Sequence, residues 1–164
     1  MKDTELTHSQ AYELWSLFGE SMGIENLRKA YGSYWPRFPV SGERIWCFSD
    51  PDEKIGWAAL RPDPVDPVVW QISGVFFPFR DLGYMREIFR WCIKKTFTEY
   101  PKAQAMFYSI SKRNQRFLDW NLAETRKINS KMEKVGEINF PDPYIIFAIK
   151  EGKIYGSNHP EIAE

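Results

Sequence analysis

Ile72-Ser73-Gly74-Val75-Phe76-Phe77-Pro78-Phe79-Arg80-Asp81-Leu82-Gly83-Tyr84-Met85 is a β-branched and aromatic run that stops at a proline and then opens an amphipathic segment. The spacing predicts a strand over 68–77, a short loop, and a helix over 82–97. On that helix Leu82, Met85, Ile88, Phe89, Cys92, Ile93 and Phe97 share one face, while Arg86, Arg90, Lys94 and Lys95 lie elsewhere. A strand feeding a helix through a tight loop leaves unpaired N–H groups at the helix N-terminus, where the dipole also favours phosphate. Arg80 adds a cation beside the same turn. Taken alone, the segment better suits a plain strand–turn–helix in which Gly83 is only a turn residue.

Two strand-like runs precede it. Residues 43–48 stop at Asp50-Pro51-Asp52, and residues 54–61 stop at Pro62-Asp63-Pro64-Val65-Asp66-Pro67. Short connections make these and 68–77 an antiparallel meander. The strand expected over 105–111 is reached through a helix, so it should pair parallel with 68–77. The two are expected to diverge toward Pro78 and Ser111. A long helix over 113–134 should follow, capped by Gly136, and Pro143 to Lys150 reads as a final strand.

At the front, Thr7 and Gln10 have capping-box spacing, with Leu6 and Ala11 placed for a hydrophobic staple. Ala11, Leu14, Trp15, Phe18 and Met22 then keep helical spacing as far as Gly23. A second helix over 24–31 ends before Gly32, and Tyr31 to Pro36 form an aromatic loop. The expected order is α-α-β-β-β-α-β-α-β: one α+β domain over 1–150 whose mixed, mostly antiparallel sheet carries helices on its faces. A polar tail follows over 151–164.

The chain has 164 residues, enough for one domain with a real core. Lys and Arg number 22 and so do Asp and Glu, which excludes a wholesale polyelectrolyte binder but not a local basic face. Apolar content of 43% argues against global disorder, and 7 Trp, 8 Tyr and 12 Phe suit strands and deep grooves. Cys47 and Cys92 lie inside apolar runs and read as buried free thiols of a reducing, cytoplasmic compartment. The first residues have no apolar stretch of signal-peptide length, and no run of 18 apolar residues occurs, so no membrane contact is expected.

Catalytic and metal-binding motifs are mostly absent from the sequence. His8 and His159 stand near opposite ends, leaving little for a Ser-His-Asp or Cys-His arrangement. No Cys/His spacing fits a metal, and no P-loop or GxGxxG segment occurs. Between Arg80 and Lys134 there are 13 Lys and Arg against 6 Asp and Glu. That local balance suits the phosphates of a small ligand or of a nucleic acid, and equally suits two solvated helix faces. Asn121, Thr125 and Asn129 recur every four residues beside Leu118, Leu122, Ile128 and Met132. They mark either a half-exposed stripe edge or buried groups that need hydrogen-bond partners.

With this order of elements, the strand–loop–helix resembles the phosphate loop of the Gcn5-related N-acetyltransferases. Phe76-Phe77-Pro78 stands for the first part of the family's pattern and Arg80-Asp81-Leu82-Gly83-Tyr84-Met85 for the second. Only Phe79 separates Pro78 from Arg80. Asp81 stands where the family has Gly, and Met85 replaces a small residue. Thr125 to Gly136 is similar to the family's Asn…Glu-Lys-x-Gly stretch, with Thr125 in place of the asparagine.

The resemblance implies an acyltransferase moving an acetyl group from acetyl-CoA to a primary amine, without a metal. It implies that the backbone of Val75, Phe76 and Phe77 holds the pantetheine arm. Arg80 and the turn of Leu82, Gly83, Tyr84 and Met85 would take the pyrophosphate. Tyr31, Tyr34 and Trp35 could wall the acceptor cleft, and Tyr108 and Ser111 are the candidates for proton transfer. Two alternatives stay open: a binding or structural protein that keeps the fold without catalysis, and a protein that binds or modifies nucleic acid through the basic stretch. Oligomeric state and acceptor are not legible.

Overall fold

The computed structural model describes residues 1–31, 37–51, 53–62, 69–76, 82–129 and 131–150. Its order is β1 (Lys2–Leu6), α1 (His8–Met22), α2 (Ile24–Tyr31), β2 (Arg44–Ser49), β3 (Lys54–Pro62), β4 (Val69–Phe76) and α3 (Leu82–Glu99). β5 (Ala105–Ser111) follows, then α4 (Gln115–Trp120), a π-helical segment (Asn121–Thr125), α5 (Arg126–Ile128), β6 (Glu133–Ile138) and β7 (Tyr144–Ile149). The strands form one sheet in the order β1-β2-β3-β4-β5-β7-β6. β4 and β5 pair parallel and every other neighbouring pair is antiparallel, as the connection lengths require.

Local chemistry starts α1 as expected. The Thr7 hydroxyl accepts from the Gln10 N–H at 3.1 Å, and Gln10 Oε1 accepts from the Thr7 N–H at 2.9 Å. These bonds satisfy two backbone donors at the helix entry. The helix stops at Gly23, whose φ of +82° is strained for any residue with a Cβ.

Period-2 alternation then divides the core between the sheet's two faces. Ile45, Cys47, Trp57 and Ala59 meet Ala11, Leu14, Trp15 and Phe18 of α1. Trp46, Phe48, Ala58 and Leu60 point the other way, and with Met106, Tyr108 and Ile110 they pack under α3 and α4. Ile88, Phe89, Cys92 and Ile93 are buried as their spacing predicts, and Lys94 is exposed. Arg86, off that apolar face, is half-buried, and its guanidinium reaches Glu124.

Two strands that the sequence pattern does not signal, β1 and β6, are the two edges of the sheet. β1 is Lys-Asp-Thr-Glu-Leu and β6 is Glu-Lys-Val-Gly-Glu-Ile, both largely exposed. Edge strands gain from polar residues that discourage further pairing, so they lack apolar alternation. The helix expected over 113–134 therefore ends at Ile128. Asn129 turns extended (φ −144°, ψ 112°), and its side-chain oxygen accepts from the Lys131 N–H at 2.8 Å. Gly136 is not a helix cap; it lies in β6 beside a register shift.

The π-helical segment also changes which residues face inward. One extra residue per turn rotates the helix face, so Leu122 is 48% exposed while Asn121, Thr125 and Asn129 are buried. The half-exposed stripe edge is thus replaced by an interior polar row. His8, near the N-terminal end of the sequence, opens α1 with Nε2 2.6 Å from the Glu43 carbonyl oxygen.

Candidate functional site

β4 and β5 pair from Val69–Ala105 to Ile72–Tyr108 and no further. Beyond that point each keeps its outer partner. β4 follows β3 until Phe76 faces Gly56, and β5 follows β7 until Ser111 faces Tyr144. The sheet is therefore open between Ser73–Phe76 and Ser109–Ser111, a wedge with its apex at Ile72 and Tyr108. The divergence expected from the sequence is present.

Backbone groups along the inner edges of such a gap have no strand to bond, and polar backbone left unsatisfied is costly. An extended chain carrying amide groups can supply the missing partners by acting as a short strand. At the open end of the wedge β4 leads into α3. The helix N-terminus there offers donors and a positive dipole end to an anion. Backbone edge and helix end together suit a long ligand that is amide-bearing along its length and phosphorylated at its outer end.

Of the sequence-derived candidates, Val75 and Phe76 lie on the open stretch of β4, and Leu82, Gly83, Tyr84 and Met85 form the first turn of α3. Phe77, Arg80, Tyr34 and Trp35 lie outside the described residues, as do Pro78 and Asp81. Tyr31 ends α2.

Tyr108 stands at the apex, 3% exposed, with its ring stacked on Phe147 and edge-on to Phe89. Its hydroxyl donates to Asn121 Oδ1 at 2.7 Å. Burial pushes the phenol's acidity well below normal, outweighing the opposite influence of that bond. Ser111, at the open end of β5, is buried, and its Oγ accepts from the Arg113 N–H at 3.2 Å.

Several partners of the site join residues far apart in sequence. The Tyr84 hydroxyl donates to Asp50 Oδ2 at 2.6 Å, and Arg86 Nη2 donates to Glu124 Oε2 at 2.6 Å. Hydrogen bonding to Arg86 holds the Glu124 carboxyl below its ordinary range. No local pattern signals either contact.

On the other face, Arg37 donates to both oxygens of the buried Glu43 at 2.8 and 2.7 Å, with its guanidinium over the Trp15 ring. The Val40 N–H adds a third bond to that carboxylate at 3.2 Å. This cluster fastens the chain after residue 36 against α1.

Part of the basic stretch is paired in place. Six of its thirteen cations, Arg86, Lys95, Lys112, Arg113, Lys127 and Lys134, pair with four carboxylates, Glu99, Glu124, Glu137 and Asp142, and the stretch keeps a net positive charge. Among the described residues no cluster of His, Cys, Asp and Glu could hold a metal, and no helix is long and apolar enough to cross a membrane.

Neither a protein-family model nor a curated protein matches the sequence. Solved structures do match its shape. The spermidine N-acetyltransferase from Vibrio cholerae, in complex with CoA and spermine, superposes with a TM-score of 0.67 at 10% identity, covering 90% of this chain and 94% of that one. The ribosomal-protein-alanine N-acetyltransferase from Brucella melitensis gives 0.64 at 10% identity, covering 92% and 100%. The fold is that of the Gcn5-related N-acetyltransferases. At such low identity the likeness is one of architecture.

Proposed function

We propose that this chain is an acyltransferase that moves an acetyl group from acetyl-CoA to a primary amine. The observation that carries the reading is the opening of β4 from β5 beyond Ile72 and Tyr108, while both strands stay paired on their outer sides. The two solved relatives, one of them a CoA complex, support it at the level of the fold.

In this reading the pantetheine arm lies along Val75, Phe76 and Phe77, its amides bonded to the free edge of β4. The pyrophosphate meets the backbone amides of Leu82 to Met85, with Arg80 as a neighbouring cation. A backbone N–H of β4 polarises the thioester carbonyl as it gains oxyanion character. The uncharged amine attacks that carbon, the C–N bond forms, the C–S bond breaks, and the sulfur leaves as thiolate. One proton leaves the amine and one reaches the thiolate, so catalysis rests on positioning and proton transfer. Tyr31, Tyr34 and Trp35 are proposed to wall the amine's cleft. A cytoplasmic setting, where free thiols and acetyl-CoA coexist, belongs to the same reading.

Tyr108 and Ser111 are the proposed proton-transfer residues, and they differ in fitness. The Tyr108 hydroxyl is enclosed at the apex and already donates to Asn121 Oδ1, whereas Ser111 stands at the open end of β5, and this placement favours Ser111. Tyr108→Phe and Ser111→Ala separate them by their effect on kcat with saturating donor. The reading itself is tested by calorimetric titration with acetyl-CoA, followed by thiol release in the presence of primary amines. Saturable 1:1 binding and amine-dependent release are expected. Binding without release would favour a non-catalytic protein of the same fold, and no binding would remove the acetyltransferase reading.

A further inference from the structure

The first turn of α3, Leu82 to Arg86, is fastened on two sides. Tyr84 reaches Asp50, just past the end of β2, and Arg86 reaches Glu124 in the π-helical segment, each across 2.6 Å. Glu124 also receives Lys127 Nζ at 3.2 Å. Within the same π-helical segment, Asn121 takes the hydroxyl of Tyr108, the last residue of β5 that pairs with β4. The π-helical segment thus holds the start of α3 through Glu124 and the apex of the wedge through Asn121.

Helix ends are where backbone order is weakest, because their first N–H groups lack internal partners and opening there is local. A turn that must present those N–H groups to an anion binds better when it is already ordered, since ordering on binding subtracts from affinity. Carboxylates next to an anion site would repel the ligand, yet here both are engaged by donors from the turn itself.

We propose that Tyr84 and Arg86 are positioning residues of the donor site, which act by anchoring the first turn of α3 to Asp50 and Glu124. Arg86 serves the donor through its hold on Glu124 and does not itself grip phosphate. The inference rests on the acetyl-CoA reading above.

Glu124→Gln discriminates, because the two roles for Arg86 predict opposite signs. As an anchor, Arg86 loses its charged partner and the turn loosens. As a phosphate ligand restrained by Glu124, it would be released and donor binding would tighten. The experiment uses the full chain as wild type, Tyr84→Phe, Glu124→Gln and the reciprocal pair Arg86→Glu with Glu124→Arg.

Hydrogen exchange in the ligand-free protein is read at the amides of Arg86 and Glu87, which in an α-helix bond back to Leu82 and Gly83. The anchor predicts exchange about fivefold faster at these amides in each single variant, with the C-terminal half of α3 unchanged. It also predicts acetyl-CoA affinity about fivefold weaker in each single variant, kcat at saturating donor retained in Glu124→Gln, and recovery of both readouts in the reciprocal pair. Unchanged exchange, or tighter binding by Glu124→Gln, overturns the proposal while leaving the donor reading intact. A wild type that binds no acetyl-CoA overturns both.

Discussion

The Tyr108 hydroxyl and the Asn121 side-chain oxygen meet at 2.7 Å inside the core, and they join the apex of the open wedge to the π-helical segment. Both side chains are buried, so the bond has no competitor in bulk water. Tyr108→Phe deletes the donor and leaves the Asn121 oxygen buried without it. Stability should fall by about 1–3 kcal/mol, read as a lower denaturant midpoint with an unchanged slope. An unchanged midpoint would show that this pair contributes nothing net.

The same phenol gives a pH signature. Its folded-state value lies above the ordinary 10.0 because burial penalises the phenolate. A value raised on folding means the stabilisation is complete below the unfolded value and declines as pH rises toward the folded one. Stability of the wild type should therefore drop above about pH 10, where the unfolded chain ionises first. Tyr108→Phe should show a shallower drop over that range. Parallel curves would mean that Tyr108 ionises equally easily in both states.

Glu43 carries its charge on the α1 face with only 3% side-chain exposure, held by the two-pronged contact from Arg37. Arg37→Ala removes the counter-charge and leaves the carboxylate buried. Because Arg37 itself is about one-third exposed, the loss is put at about 1–3 kcal/mol, below that of a fully enclosed pair. Thermal unfolding of the variant measures it. A much smaller loss with Glu43→Gln would identify the charge, and not the packing, as the cause.

Gly136 separates two accounts of the chain after α5. Within β6, a Cβ at Gly136 would meet nothing within 4 Å, and its φ is not in the left-handed region. Gly136→Ala should leave stability unchanged or raise it by up to about 1 kcal/mol. As a left-handed helix cap it would lose about that much instead. Urea unfolding gives the sign.

At the donor loop, Asp81→Gly should tighten acetyl-CoA binding by about three- to tenfold, because it removes a carboxylate from the neighbourhood of the proposed pyrophosphate. Gly83→Val should weaken binding by crowding the turn. Equal affinity for wild type and both variants in calorimetry would show that phosphate does not bind at this turn.

The sequence by itself determined the elements whose local pattern and burial agree. α1 carries its capping box, α3 its apolar stripe, and β2, β3, β4, β5 and β7 their apolar runs. The helical crossover required β4 and β5 to be parallel, and that pair is where the wedge opens. Tertiary structure alone decided the rest. β1 and β6 are strands because β2 and β7 offer them hydrogen bonds, not because Lys2–Leu6 or Glu133–Ile138 prefer the extended state. The π-helical segment turns Asn121 inward toward Tyr108 and Leu122 outward, a rotation that the 3.6-residue pattern cannot encode. Tyr84 with Asp50 and Arg86 with Glu124 are separated by 34 and 38 residues, so only the packed chain brings each pair within reach of a hydrogen bond.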